Sequence, residues 1–270
     1  MKTVTSKDGT TIAYDQSGQG PVVVLVGGAL QYRAFDQGLA QLTDLLEKHF
    51  TVIHYDRRGR GDSTDTKTYE LQREIEDLEA VIDAAGGSAF VYGLSSGAAL
   101  ALAAGNKLPN KIKKLALYEP PFIVDDTHPP IPQDYIMQLD KMVAEGRRGD
   151  AVALFMKAVG VPDGYIPMMR QDPSWAEMEG VAHTLAYDGA VIGDNASGKP
   201  LRPDQWPNAT MPTLVIVGGA SEPFFHAGAQ ALVDLLPNAQ VYVLEGQAHD
   251  VSSEALAPVL ADFFAGRTGG

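Results

Sequence analysis

Phe90-Val91-Tyr92-Gly93-Leu94-Ser95-Ser96-Gly97-Ala98-Ala99-Leu100 is the stretch on which the fold turns. A short apolar run rich in β-branched and aromatic residues ends at Gly93, a G-x-S-x-G motif follows, and an alanine-rich segment with the composition of a buried helix begins at once. Strand, sharp turn and helix in that order form a nucleophile elbow, in which glycines at 93 and 97 let the backbone pack closely and the turn pushes the Ser95 hydroxyl into the open. The N-terminus of the following helix places the Ser96 N–H beside the point where a tetrahedral oxyanion would form.

Working outward, five more short apolar runs share the character of Phe90–Gly93: Val22–Val26, Thr51–Tyr55, Leu115–Tyr118, Thr213–Val217 and Val241–Leu244. Their lack of alternation predicts strands buried on both faces. Phe35, Leu39, Leu42 and Leu46 recur at helical spacing between the first two, and Leu71, Ile75, Leu78 and Ile82 do so before Phe90. Strand alternating with helix predicts a mostly parallel α/β sheet of about eight strands with helices on both faces. The turn Lys7-Asp8-Gly9-Thr10 adds an antiparallel hairpin in front, between Thr3–Thr5 and Thr11–Tyr14. From Pro120 the pattern breaks: prolines at 120, 121, 129, 130 and 132 give way to helical spacing at Ile136, Leu139 and Val143. We therefore expect a core of residues 1–119 and 211–270 with a helical cap, 120–210, inserted in it. Leu256, Val259, Leu260 and Phe263 mark a last amphipathic helix, and Gly266–Gly270 is expected to be a frayed tail.

At 270 residues, 45% hydrophobic and 20% charged, the chain is an ordinary globular sequence with length for one large core. Acidic residues outnumber basic ones 34 to 21, and the resulting net charge of −13 repels phosphate backbones and anionic lipid, so neither nucleic acid nor a membrane is an expected partner. With no cysteine and no H-x-x-x-H pair, no metal site or cofactor is expected. The N-terminal residues lack a signal-peptide pattern and no run is long and apolar enough for a span, which makes the cytoplasm the expected location. Oligomeric state is not legible.

Beyond the elbow, Asp56-Arg57-Arg58-Gly59-Arg60-Gly61-Asp62-Ser63 follows the second parallel strand and Gln247-Ala248-His249 follows the last. Together with Gly93–Gly97 these resemble the α/β-hydrolase superfamily, whose D-x-R-G-x-G-x-S loop and late histidine stand at the same points, over nearly the whole chain apart from the cap. The likeness implies Ser95 as nucleophile and His249 as general base, and a serine hydroxyl needs such a base because it is too weakly acidic to attack unaided. It also implies an oxyanion hole from the amides of Ser96 and Ala29; in Gly27-Gly28-Ala29 a glycine replaces the family's usual histidine. For the 56–63 loop a structural role beside the active-site face is expected, rather than a catalytic Asp56 or a phosphate site.

The carboxylate that orients the base has two candidate places under this resemblance. Most members carry an Asp after the strand that follows the cap, but the matching position here is Ser221, with Glu222 one residue late. A minority, including the zearalenone lactonase branch, carry the acid at the end of the strand before the cap, and there the sequence has Glu119. We expect Glu119, with Glu222 as the alternative. Gly28 and Leu30 beside the oxyanion loop, and His183, Trp175 and Tyr187 in the cap, are expected to contact substrate. The cap's Met137, Met142, Met156, Met168, Met169 and Met178, with Phe155 and Tyr165, predict a lining for a bulky apolar molecule. The serine disfavours haloalkane dehalogenase and epoxide hydrolase chemistry, which use an aspartate nucleophile. A serine hydrolase for a small hydrophobic ester or lactone is the expected function. C–C bond hydrolase, lyase and cofactor-free peroxidase chemistry stay open, as does a non-catalytic ligand-binding protein.

Overall fold

The computed structural model describes residues 1–66 and 68–267. The end of the expected tail, 268–270, lies outside the described residues. Among the described residues eight strands form one sheet: β1 (Lys2–Thr5), β2 (Thr11–Ser17), β3 (Val22–Val26), β4 (Thr51–Tyr55), β5 (Ala89–Leu94), β6 (Ile112–Tyr118), β7 (Thr213–Gly218) and β8 (Ala239–Leu244), in the spatial order β1-β2-β4-β3-β5-β6-β7-β8. β1, β2 and β4 pair antiparallel, and every pairing from β4 onward is parallel.

Helices cover both faces. α1 (Gln37–Leu46) and α10 (Ser253–Phe264) pack Leu39, Leu42, Leu256 and Leu260 against Val23, Leu25, Tyr92 and Ile216. On the other face α2 (Leu71–Ala84), α3 (Ser96–Lys107) and α9 (Pro223–Leu235) meet Val24, Val26, Val91 and Val215. Successive residues of one strand thus enter opposite layers, as the two-residue period of a strand requires, and the central runs are apolar without interruption because both layers are dry.

The last run departs from its expectation. Val241, Tyr242 and Val243 of β8 remain 39–41% exposed, because β8 is the edge strand and the helices do not fully cover it. An apolar run predicts a strand but not whether a neighbour covers it.

Between β6 and β7 the chain leaves the sheet and forms α4 (Tyr135–Ala144), α5 (Arg148–Ala158), α6 (Ile166–Met169), α7 (Ser174–Gly180) and α8 (Leu185–Ile192), with short 3-10 turns among them. These inserted helices gather a hydrophobic cluster of their own around Leu139, Val152, Trp175 and Leu185, which also takes in Leu30 and Tyr32 from the loop after β3. β3 sits between β4 and β5, so the strand order reverses there and a crevice opens beyond the carboxyl ends of β3 and β5. Val26 pairs with Gly93 at those ends, which brings the loop after β3 beside Ser95. Among the described residues no helix is long and apolar enough to cross a membrane.

Candidate active site

Ser95 joins β5 to α3 with φ 56° and ψ −125°, a conformation that costs a non-glycine residue on the order of 1–3 kcal/mol. The neighbouring glycines make the turn possible for steric reasons. A Cβ on Gly93 would lie 2.4 Å from the Gly97 carbonyl oxygen, and one on Gly97 would lie 2.3 Å from that of Val26. Among the described residues the only other non-glycine residues with positive φ are Leu30, at 63°, and Glu119, at 45°. Three of the four segments of the site, the loop after β3, the elbow and the end of β6, therefore carry one such residue each, and the loop with His249 carries none.

Glu119 is 1% exposed and lies at the end of β6. Its Oε1 accepts from the Gly218 amide at 2.7 Å and from the Ser221 hydroxyl. Its Oε2 lies 2.7 Å from His249 Nδ1. With both carboxylate oxygens accepting, Nδ1–H donates to Glu119 and Nε2 is left as the imidazole's acceptor. Phe225 of α9 stacks on the His249 ring at 4.8 Å between centroids, and Tyr118 donates to the Ala248 carbonyl at 2.6 Å, so ring and loop are both held. Glu222 is exposed on the cavity wall and makes no hydrogen bond to His249 among the described residues.

Ser95 and His249 line one cavity of about 840 Å³, which Ala29 and Ser96 also reach. Among the described residues, Ser95 Oγ makes no hydrogen bond to the ring, and the amides of Ala29 and Ser96 donate to no protein acceptor. Gly28 packs directly under the elbow: a Cβ there would sit 3.0 Å from the Leu94 carbonyl oxygen and 3.1 Å from Ser95 Cβ. Gly28 and Leu30 hold the loop in place but do not line the cavity; Leu30 turns into the cluster of the inserted helices.

Three residues expected at the substrate lie elsewhere. Trp175 is 4% exposed inside the inserted helices, where its Nε1–H donates to Glu179 at 2.9 Å and the Arg170 guanidinium lies over its ring. Tyr187 stacks on Tyr69 at 4.2 Å and donates to Asp65 at 2.8 Å. His183 lies 3.4 Å from the same carboxylate, against Gly59. The latter two fasten the inserted helices to the loop after β4. Of the cap methionines none lines the cavity, and Met137, Met168 and Tyr165 face solvent. Of the expected lining residues Phe155 does face the cavity, and the rest of the apolar wall comes from Ile123, Ile131, Ile136, Val159 and Phe224.

Three buried charges escaped the sequence reading: Asp188 of α8, and Arg57 and Arg60 of the 56–63 loop as its partners. Arg57 Nη1 donates to Asp188 Oδ1 and Arg60 Nη2 to Oδ2, both at 2.7 Å, while Ser96 Oγ donates to Oδ1 at 2.8 Å. Burial alone would push the Asp188 carboxyl up; the two guanidiniums outweigh it and hold the group below its ordinary value. Three arginines in one loop of an acidic chain were the available signal. The expected structural role of that loop matches its geometry: Asp56 accepts from the Arg33 and Asp62 amides, and Ser63 donates back to the Asp56 carbonyl. No group of three or more His, Asp or Glu side chains among the described residues is arranged to hold a metal ion.

The sheet order, the elbow and the excursion between β6 and β7 define the α/β-hydrolase fold. A sequence profile of the Alpha/beta hydrolase family matches residues 22–261, and the chain belongs to that family. The structure of an alpha/beta hydrolase from Sphaerobacter thermophilus is similar at 54% identity, with a TM-score of 0.88 over 97% of this chain and 100% of that one. An enol-lactonase from Burkholderia xenovorans shares the fold at 21% identity, with a TM-score of 0.72 over 98% of this chain and 100% of the other. A non-heme chloroperoxidase from Kitasatospora aureofaciens is 26% identical over 266 residues, 93% of each chain.

Proposed function

We infer that the protein is a serine hydrolase that cleaves an ester or lactone bond of a small hydrophobic molecule through an acyl-enzyme on Ser95. The observation that carries the reading is one cavity lined by a strained serine, a carboxylate-held imidazole and two residues, Ala29 and Ser96, whose amides donate to no acceptor among the described residues. His249 Nε2 takes the Ser95 proton as Oγ attacks the carbonyl carbon. The oxyanion of the tetrahedral intermediate is received by the amides of Ala29 and Ser96, and Glu119 stabilises the imidazolium. As the intermediate collapses, His249 returns the proton to the departing alkoxide, which in a lactone stays tethered to the acyl group. Water, deprotonated by the same ring, then releases the acid and restores Ser95.

The predominantly aliphatic and aromatic wall supports a hydrophobic substrate, and the volume is within the range of drug-sized ligand sites. A fluorophosphonate probe tests the nucleophile: labelling of the native protein that disappears in Ser95→Ala is expected. No labelling of the native protein would favour a ligand-binding module instead. A panel of esters should favour bulky apolar acyl groups over acetyl, and the reverse preference would remove the substrate assignment. The likeness to a chloroperoxidase favours a second reading, cofactor-free peroxidase chemistry on the same residues. It predicts that hydrogen peroxide outcompetes water as acceptor for the acyl group.

A further inference from the structure

We propose that Arg57, Arg60 and Asp188 are positioning residues that set the spacing of the two oxyanion-hole amides, and that the inserted helices complete the hole by delivering Asp188. The proposal rests on the serine-hydrolase reading above. Its basis is that one buried ion cluster touches both walls of the hole and three separate parts of the chain.

On one wall, the Ser96 hydroxyl donates to Asp188 Oδ1 at 2.8 Å, fixing the first residue of α3, whose amide is one donor. On the other, Arg60 Nη1 donates to the carbonyls of Gly28 and Gln31, and Arg57 Nη1 reaches the Gly27 carbonyl at 3.4 Å. These carbonyls bracket the Ala29 amide, the second donor. Asp188 joins the walls, since its two oxygens accept one from each arginine. Arg57 is braced from behind by a two-point pair with Glu74 of α2, at 2.6 and 2.7 Å, and Arg60 Nε donates to Thr184 at 3.0 Å.

Arg57 and Arg60 are each 1% exposed, Glu74 2% and Asp188 3%, so two cations and two anions are almost wholly buried with balanced formal charge, Asp188 alone of the four bordering the cavity. Removing the Asp188 charge leaves Arg60 buried without a counter-ion and takes one of two from Arg57, a strong penalty that the structure relieves by moving. Here movement means shifting the Ala29 loop or the start of α3. An oxyanion donor acts only within a few tenths of an ångström of its place, so such a shift is felt at the transition state before it is felt in substrate binding.

The test compares Asp188→Asn and Ser96→Ala with the native protein. Asp188→Asn keeps the size and one acceptor but not the charge; Ser96→Ala keeps the amide and removes only the side-chain tether. Titration with a fluorophosphonate counts competent sites, so that kcat is read per site. We expect kcat per site on an apolar ester to fall about 10- to 100-fold in Asp188→Asn and about 3- to 10-fold in Ser96→Ala, with KM within about threefold. Affinity for a trifluoromethyl ketone, which forms a tetrahedral adduct on serine, should weaken in proportion to kcat.

A merely structural cluster would lower the melting temperature or the number of titratable sites and leave kcat per site native; that result overturns the proposal. Should Asp188→Asn fail to fold, Ser96→Ala decides, and a native kcat per site there overturns it equally. If the native protein neither labels at Ser95 nor turns over esters, the function reading falls and takes this proposal with it. A native protein that labels and turns over, with variants that match it per site, refutes the positioning role alone.

Discussion

Ser221 occupies the position where most members of the superfamily carry the acid, and its hydroxyl instead donates to the Glu119 carboxylate. The hydroxyl thus supplies a donor to a carboxylate that comes from the neighbouring strand. Glu119→Gln is expected to lower kcat about 10³- to 10⁴-fold in a steady-state ester assay, since an amide cannot hold the imidazole in the productive tautomer. Glu222→Gln, which alters the cavity wall without touching the ring, should keep kcat within about threefold; the opposite order would move the acid to Glu222. Ser221→Ala removes one hydrogen bond to a buried charge and should reduce kcat by about tenfold or less, with the Gly218 amide still in place. The placement of Ser95 at a strand-to-helix turn, and of Glu119 and His249 after strands, was legible because each position follows a short apolar run. Trp175, Tyr187 and His183 were misplaced because lying in the inserted segment does not say whether a side chain faces the cavity, the helices' own core or the loop after β4.

At the level of the element, the elbow depends on α3 lying against the end of β3, with Gly97 touching the Val26 carbonyl. Backbone on both sides cannot yield, so Gly97→Ala should cost about 3 kcal/mol, a drop of roughly 6–12 °C in melting temperature by calorimetry. A substitution without effect on the melting curve would show that the contact relaxes freely. α10 is capped by Ser252, whose hydroxyl accepts from the Ala255 amide, and Ser252→Ala should cost about 0.5–2 kcal/mol in a denaturant titration. The strands were legible from their short runs of Val, Ile and Leu, and α2 from its Leu71 to Ile82 spacing, since burial and periodicity are local properties. The exposure of Val241–Val243 was not, because an edge is defined by what the rest of the sheet leaves uncovered.

Over the whole molecule, acid sensitivity should centre on His54, buried in β4. Burial pushes its pKa down to about 4, and the pull of Asp56 in the other direction does not restore it. The unfolded chain binds this proton near pH 6.5 and the folded chain only near 4, so stability is intact above pH 6.5 and is lost as pH falls between the two values. The loss approaches about 3 kcal/mol. A denaturant series from pH 7 to 4 should show that slope, and His54→Asn should flatten it; an unchanged slope would assign the acid sensitivity to other groups. The Arg57, Arg60 and Asp188 cluster was not legible, because its members stand 131 and 128 positions apart and only folding introduces them. That cluster straddles the boundary between sheet and inserted helices, with both cations on one side and an anion on the other. Chimeras that transplant the helical segment from another enzyme onto this sheet would import a foreign residue at 188. Unless it is a carboxylate, Arg60 would be stranded without a counter-ion and Arg57 left with Glu74 alone, so specificity and framework here must be exchanged as a matched set.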